Sequence, residues 1–328
     1  MTRLIIHAGC HKTGTTSVQY CFDANADLLA QHGILYPRIH RNRAHHILAL
    51  PWQPELHVNT TVSAEYVDEA FRALSADQTR AHDCVFISAE NFTRARPNRV
   101  DWAALLERFG DYDEIEVIYI AREQISLCQS IYMQVSRDAS VPPNLGATIE
   151  ETLRGFDPAG VSIEHSVAID MILEGVSASS VSVVSVESLA DRPLGVIGYL
   201  LERCGLAEAP EGFVVPAPVN ISAEPLAHWF AVASRPNLPF DREIATMATR
   251  AIADIHGEDA RTTLFTSQEI ETLRDALIAV NGPANEKLAA LGLSYELPGP
   301  GLPEGLVTRD RVSGAVWRRL AQLLAAER

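Results

Sequence analysis

Apolar residues run without a break at Leu4, Ile5 and Ile6, and helical spacing takes over from Thr15. Between Thr15 and Gly33 the apolar positions Val18, Cys21, Phe22, Leu28 and Leu29 form one stripe, which predicts a single helix. Thr15, Thr16 and Ser17 suit its start and Gly33 its end. Ile34 to Pro37 reads as a short extended piece, and Ser63 to Ala76 as an amphipathic helix. Three further apolar runs read as buried strands: Asp83 to Phe92, Ile115 to Ala121 and Val181 to Val186. Helical patterns separate and follow them, at Trp102 to Phe109, Glu123 to Arg137, Thr148 to Leu153, Ile163 to Leu173 and Pro193 to Cys204. Strands alternating with helices predict an α/β chain of three layers around a mostly parallel sheet of four to five strands. Ala207 to Asn220 is rich in Pro and Gly and marks a linker. Beyond it the chain is helical, at Glu224 to Ser234, Arg242 to His256, Gln268 to Ala290 and Arg311 to Ala326. The expected organisation is a core over residues 1–205 and a helical C-terminal part over 206–328, packed on the core as one domain.

Composition narrows the class. With 47% hydrophobic and 21% charged residues, the 328-residue chain reads as a soluble globular protein. No apolar stretch reaches the ~20 residues of a membrane span. The N-terminus enters a strand within three residues, which leaves no room for a signal peptide. Five scattered cysteines without a CxxC pair read as reduced thiols, and the expected location is cytoplasmic. In such a chain the Asn-x-Ser/Thr matches at Asn59, Asn91 and Asn220 carry no weight. A formal charge of −15 disfavours nucleic acid as a partner, and any anionic ligand needs a local cationic site.

The candidate chemistry sits at strand ends. After the first strand comes His7-Ala8-Gly9-Cys10-His11-Lys12-Thr13-Gly14-Thr15-Thr16-Ser17. A Gly-bounded loop between strand and helix points its backbone N–H groups at one spot and forms an anion cradle. Gly9 and Gly14 have the glycine spacing of a nucleotide P-loop, but Thr15 stands where that motif has its Lys. The loop's cation is Lys12, at the apex. No Asp ends a later strand in the manner of a nucleotide-hydrolysing P-loop protein. The second long strand ends at Ser88, Glu90 and Asn91, where a carboxylate serves either as a general base or as a cap. The third ends at Arg122, with Ser126 and Ser130 on the helix that follows; these could equally be surface positions. Arg38, His40, Arg41, Arg43, His45 and His46 form a basic segment, either a solvated loop or a face for an anionic substrate. It lacks the ligand spacing of a metal site.

The run HKTGTTS resembles the 5′-phosphosulfate loop of sulfotransferases that use 3′-phosphoadenosine 5′-phosphosulfate (PAPS). The likeness is to bacterial, carbohydrate-sulfotransferase-like members on a P-loop fold. Arg122 and Ser130 resemble that family's site for the 3′-phosphate, and the strand end FISAENFT resembles the one that carries a catalytic Glu. The resemblance implies PAPS as co-substrate, 3′,5′-ADP as product and no required metal. It places His11, Lys12, Thr13, Gly14, Thr15, Thr16 and Ser17 around the 5′-phosphate. Lys12 would neutralise the bridging oxygen and Glu90 would take the acceptor's proton. His11, His45 and His46 are the alternative bases, since another branch of the family uses a histidine. The acceptor would be a hydroxyl or amine of a small molecule or glycan. The Arg-Lys-Gly stretch that closes over the 3′-phosphate in some relatives is not identified; Arg309 and Arg311 are the nearest candidates. The alternatives are a P-loop kinase or NTPase, and a nucleotide-binding module without turnover.

Overall fold

The computed structural model describes residues 1–55, 62–110, 112–155, 157–217, 224–293, 297 and 305–326. Asn59, Asn220 and the end of the linker at 218–220 lie outside these residues. The chain forms two compact units, each assembled from separate stretches. The first comprises Met1–Arg122, Gly160–Val219 and Gly282–Leu297; the second comprises Glu123–Ala159, Asn220–Asn281 and Pro298–Arg328.

In the first unit five strands form an all-parallel sheet: β1 (Arg3–His7), β2 (Ile34–Leu35), β3 (Cys84–Ser88), β4 (Glu114–Ala121) and β5 (Val181–Ser185). Their order is β2-β3-β1-β4-β5, with β1 in the middle. In register, His7 faces Ser88 on one side and Ile118 on the other. One face carries Ile5, Phe86, Ile118 and Ile120. It is covered by α1 (Thr15–Ala24), α2 (Ala26–Gln31) and α9 (Gly195–Arg203) through Val18, Phe22, Leu29, Leu200 and Leu201. Each such side chain, fully buried, contributes about 1.5–3 kcal/mol. Tyr119 points to the opposite face, where its hydroxyl meets His165 at the start of α8 (His165–Leu173). With α3 (Ala64–Ala73), α4 (Ala76–Thr79) and α5 (Trp102–Glu107), this unit is the three-layer α/β fold that the alternation of elements predicts.

Two elements depart from the sequence pattern. The helix expected over 15–33 is broken at Asn25, whose side-chain amide donates to Cys21 O (2.7 Å) and Val214 O (2.7 Å) and accepts from Val214 N (2.8 Å). An Asn that satisfies backbone groups in this way competes with the helical ladder. The strand expected over 83–92 stops at Ser88, and Glu90–Thr93 turns into a short 3₁₀ helix. All five cysteines are free and buried.

The second unit is mainly helical over its described residues, with one isolated β-bridge between Thr262 and Val307. It contains α6 (Gln124–Asp138), α7 (Leu145–Gly155), α10 (Pro225–Ser234), α11 (Arg242–His256), α13 (Gly314–Ala326) and the start of α12 (Ser267–Ala290). Its core packs Leu226, Phe230, Ala248, Ala251, Val316 and Leu320. Gln124 and Asn281 pair their amides reciprocally (3.2 and 2.6 Å) and tie α6 to α12.

Candidate active site

Because β1 lies between β3 and β4, the loop leaving it is flanked by the chain leaving each neighbour. Glu90 follows β3 and Arg122 follows β4, so the sheet order alone sets the loop between a carboxylate and a guanidinium. The strand order reverses here: after β1 the chain forms β2 and β3 on one side of it, and then β4 and β5 on the other. Ligands of parallel sheets bind at such a crossing.

The sheet ladder continues into the loop. Ala8 N donates to Ile118 O (2.9 Å), Cys10 N to Ile120 O (2.9 Å) and Ile120 N to Gly9 O (2.7 Å). The chain then turns through Lys12 (φ 64°) and Gly14 (φ 84°). A lysine in the left-handed region is strained, and its surroundings must hold it there. Thr13 Oγ1 donates to Cys10 O (2.7 Å), and Arg122 Nη1 donates to Lys12 O (2.5 Å). Helix α1 starts at Thr15 with Gly14 as its cap residue, no side-chain cap and no acidic residue in its first turn. Its first N–H groups and the positive end of its dipole therefore face the loop. Thr13 and Thr15 are buried and turn their hydroxyls to Cys10 O, so they shape the loop. Thr16 and Ser17, in the first turn of α1, are half-buried.

Gly9 binds the loop to Glu90. A Cβ at Gly9 would stand 3.0 Å from both Cα and Cβ of Glu90, and its φ is +96°. Thr93 Oγ1 donates to Ala8 O (2.8 Å) from the same turn. The Glu90 side chain is 18% exposed; its Oε2 accepts from Gln19 Nε2 (3.1 Å) and lies 3.6 Å from His46 Nε2. Burial pushes the Glu90 carboxyl up. The opposing pull of His46, then of His11, its own backbone N–H and the Gln19 amide outweighs burial and holds it below the usual value. The carboxyl is therefore ionised near neutral pH and able to accept, and its lowered pKa makes it a weak base.

The histidines divide by what they touch. His45 is buried; its Nε2 donates to Pro37 O (2.9 Å) and its Nδ1 accepts from Ser88 N (3.0 Å). Burial lowers its pKa to about 4. With both nitrogens committed to backbone, His45 is a structural residue and drops out as a base. His11 is half-buried, with Nε2 shielded and unpaired, and burial lowers it to about 4 against the attraction of Glu90. His46 presents Nε2 to Glu90 and buries Nδ1 without a partner. His7 is wholly buried with Nδ1 2.9 Å from Ser88 Oγ. Burial also pushes the Cys10 thiol up to about 12, which leaves it protonated and non-nucleophilic.

Arg122 is held by its backbone as well. His165 Nε2 donates to Arg122 O (2.7 Å), while its Nδ1 accepts from Tyr119 Oη (2.7 Å); burial keeps this imidazole neutral, with a pKa of about 4. The basic segment is mostly engaged elsewhere. Arg38 and Arg43 both pair with Asp23 (3.0 and 2.9 Å), Arg38 also with Asp27 (3.4 Å), and Arg43 lies over the Tyr20 ring. Of the six Arg and His residues there, His46 is the one in contact with Glu90. Ser130 lies half-buried on α6, in the second unit. In that unit Arg309 pairs with Glu269 (2.6 Å), and Arg311 is exposed.

The structure thus gathers the loop, Lys12, Glu90 and Arg122 in one place. It adds Gln19, His165 and Gly9's contact, which the sequence pattern does not single out. The one available signal for Gln19 is its position, a polar residue four after Thr15 on the buried side of a helix.

No protein-family model matches this chain, and no curated protein matches it. Among solved structures, the crystal structure of a sulfotransferase from Alicyclobacillus acidocaldarius is similar, with a TM-score of 0.50 and 14% identity over 89% of this chain and 96% of that one. At that identity the likeness is one of architecture. The chain has a sulfotransferase-like P-loop fold.

Proposed function

We propose that this protein transfers a sulfuryl group from PAPS to a hydroxyl or amine acceptor. The observation that carries the reading is the position of the loop between Glu90 and Arg122, with its cation at the apex residue Lys12 and not after Gly14. The α1 first turn and the loop N–H groups suit the 5′-phosphate, which bears charge as it leaves. Lys12 would meet the oxygen that bridges phosphorus and sulfur. In the transfer the S–O bond to that oxygen breaks and a bond from sulfur to the acceptor forms. The electron pair leaves on the 5′-phosphate of 3′,5′-ADP, and the acceptor's proton goes to Glu90. Charge growing on the bridging oxygen is what a fixed ammonium stabilises best.

Arg122 would hold the 3′-phosphate, a planar fork suited to a phosphate edge; the resemblance assigns Ser130 to the same group. A carbohydrate acceptor follows from the resemblance and a cytoplasmic location from the scattered, unpaired cysteines, and both belong to the same proposal. Among the described residues no helix is long and apolar enough to cross a membrane. Calorimetry with 3′,5′-ADP and with Mg·ATP tests the donor. Metal-independent binding of 3′,5′-ADP without binding of Mg·ATP supports it, followed by release of 3′,5′-ADP from PAPS with an acceptor present. Binding of Mg·ATP alone would favour a kinase or NTPase.

A further inference from the structure

Glu90 does not stand alone at the end of β3. Its Oε2 is 3.1 Å from Gln19 Nε2, and the same amide nitrogen is 3.4 Å from Ser88 Oγ. Both contacts require the amide to donate, because a carboxylate oxygen can only accept. Its two protons are thus directed at Glu90 and at Ser88. The Ser88 hydroxyl, accepting from Gln19, also pairs with His7 Nδ1 at 2.9 Å. A hydrogen-bonded string thus runs from β1 through β3 and α1 to the carboxylate. Gln19 and Ser88 are buried at 5% and 0% exposure, so water does not compete for these bonds.

We propose that Gln19 is a positioning residue for Glu90: its amide fixes Oε2, together with His46, and directs the carboxylate's remaining basic lone pairs at the acceptor. This rests on the sulfuryl-transfer reading of the site. The placement has a consequence for the order of events. Gln19 lies four residues after Thr15 and three after Thr16, on the helix whose first turn faces the donor's 5′-phosphate. Anything that settles α1 against the donor settles the base as well, because one rigid helix carries both contacts. A base displaced by about 1 Å costs on the order of 10²-fold in rate.

Two variants and two readouts test this. Gln19→Leu keeps the volume and removes the donor. It should lower kcat by about 10²-fold while leaving KM for PAPS nearly unchanged. In nucleotide-free protein with Glu labelled at the carboxyl carbon, the same variant should raise the Glu90 titration midpoint, since a hydrogen bond to the charged form is lost. Gln19→Glu is close to isosteric and sets a second carboxylate against Glu90. Two such groups cannot both ionise readily, so the acid limb of the kcat profile should move to higher pH. An unmoved Glu90 titration in Gln19→Leu, or a Gln19→Glu profile that superimposes on the wild type, would overturn the assignment. If Gln19→Leu does not fold, the Gln19→Glu profile and its Glu90 titration decide. A wild type without sulfuryl transfer would refute the proposed function, while the nucleotide-free titration would still decide on Gln19.

Discussion

Replacing Gly9 with alanine probes the contact on which the site's geometry depends. At φ +96° an L-residue sits in the left-handed region, at about 1–2 kcal/mol. The new methyl would also stand 3.0 Å from Glu90 Cα and Cβ. Those atoms are backbone or next to it and cannot swing away, so an overpacking cost of about 1–3 kcal/mol follows. The sum is about 2–5 kcal/mol. Gly14→Ala is the internal control. Its φ is +84°, but nothing lies within 4 Å of the added carbon, so it should cost only the backbone's share, about 1–2 kcal/mol. The lower chain entropy of alanine in the unfolded state offsets both alike and cancels in the comparison. Native-state hydrogen exchange of the Ile5, Ile6 and Phe86 amides reports the opening free energy of the sheet core directly. Gly9→Ala should lower it further than Gly14→Ala, and should shift Glu90 enough to reduce transfer more than 3′,5′-ADP binding. Equal losses for the two variants would show that the loop does not press on Glu90 and would sink this account of the site.

Arg122→Ala should weaken 3′,5′-ADP by about 2–3 kcal/mol and 5′-AMP by less. The bond from Arg122 to Lys12 O means that 5′-AMP is not spared entirely, and equal losses by calorimetry would remove the 3′-phosphate assignment. Glu90→Gln should reduce transfer ~10²–10⁴-fold with little change in 3′,5′-ADP affinity. A near-wild-type rate, with His11→Ala or His46→Ala inactive, would move the base to that histidine. Stability should decline as pH falls from about 6.5 towards 4. His7, His45 and His165 are neutral in the fold with pKa values of about 4, whereas the unfolded chain protonates them near the ordinary 6.5. In that window the unfolded state binds more protons, so each histidine withdraws up to about 1.4 kcal/mol per pH unit. A pH-independent urea midpoint there would contradict their buried, neutral state.

The local patterns of the chain determined a good deal. Continuous apolar runs marked β1 and β3, as in strands covered on both faces, and β-branched runs broken by Glu116 and by Ser182 marked β4 and β5. The glycines and Lys12 marked the loop, and polar residues at the ends of β3 and β4 marked Glu90 and Arg122, since strand ends in a parallel sheet face ligands. These features depend on neighbours in sequence. Tertiary structure alone decided the rest. Nothing local in residues 3–7 says that β1 lies between β3 and β4, and that order is what sets the loop between Glu90 and Arg122. The helix from Thr15 looked continuous until Asn25 met Val214, 189 positions away. His45 and His46 are adjacent and alike in sequence. One is locked between two backbone groups, and the other reaches Glu90, because only the packed chain says which ring faces Ser88. The second unit joins residues 123–159 to segments beyond 220, a pairing of helices that periodicity does not encode. Gln19 is the clearest case: its spacing says buried face, and only the approach of β3 makes it the donor to a carboxylate.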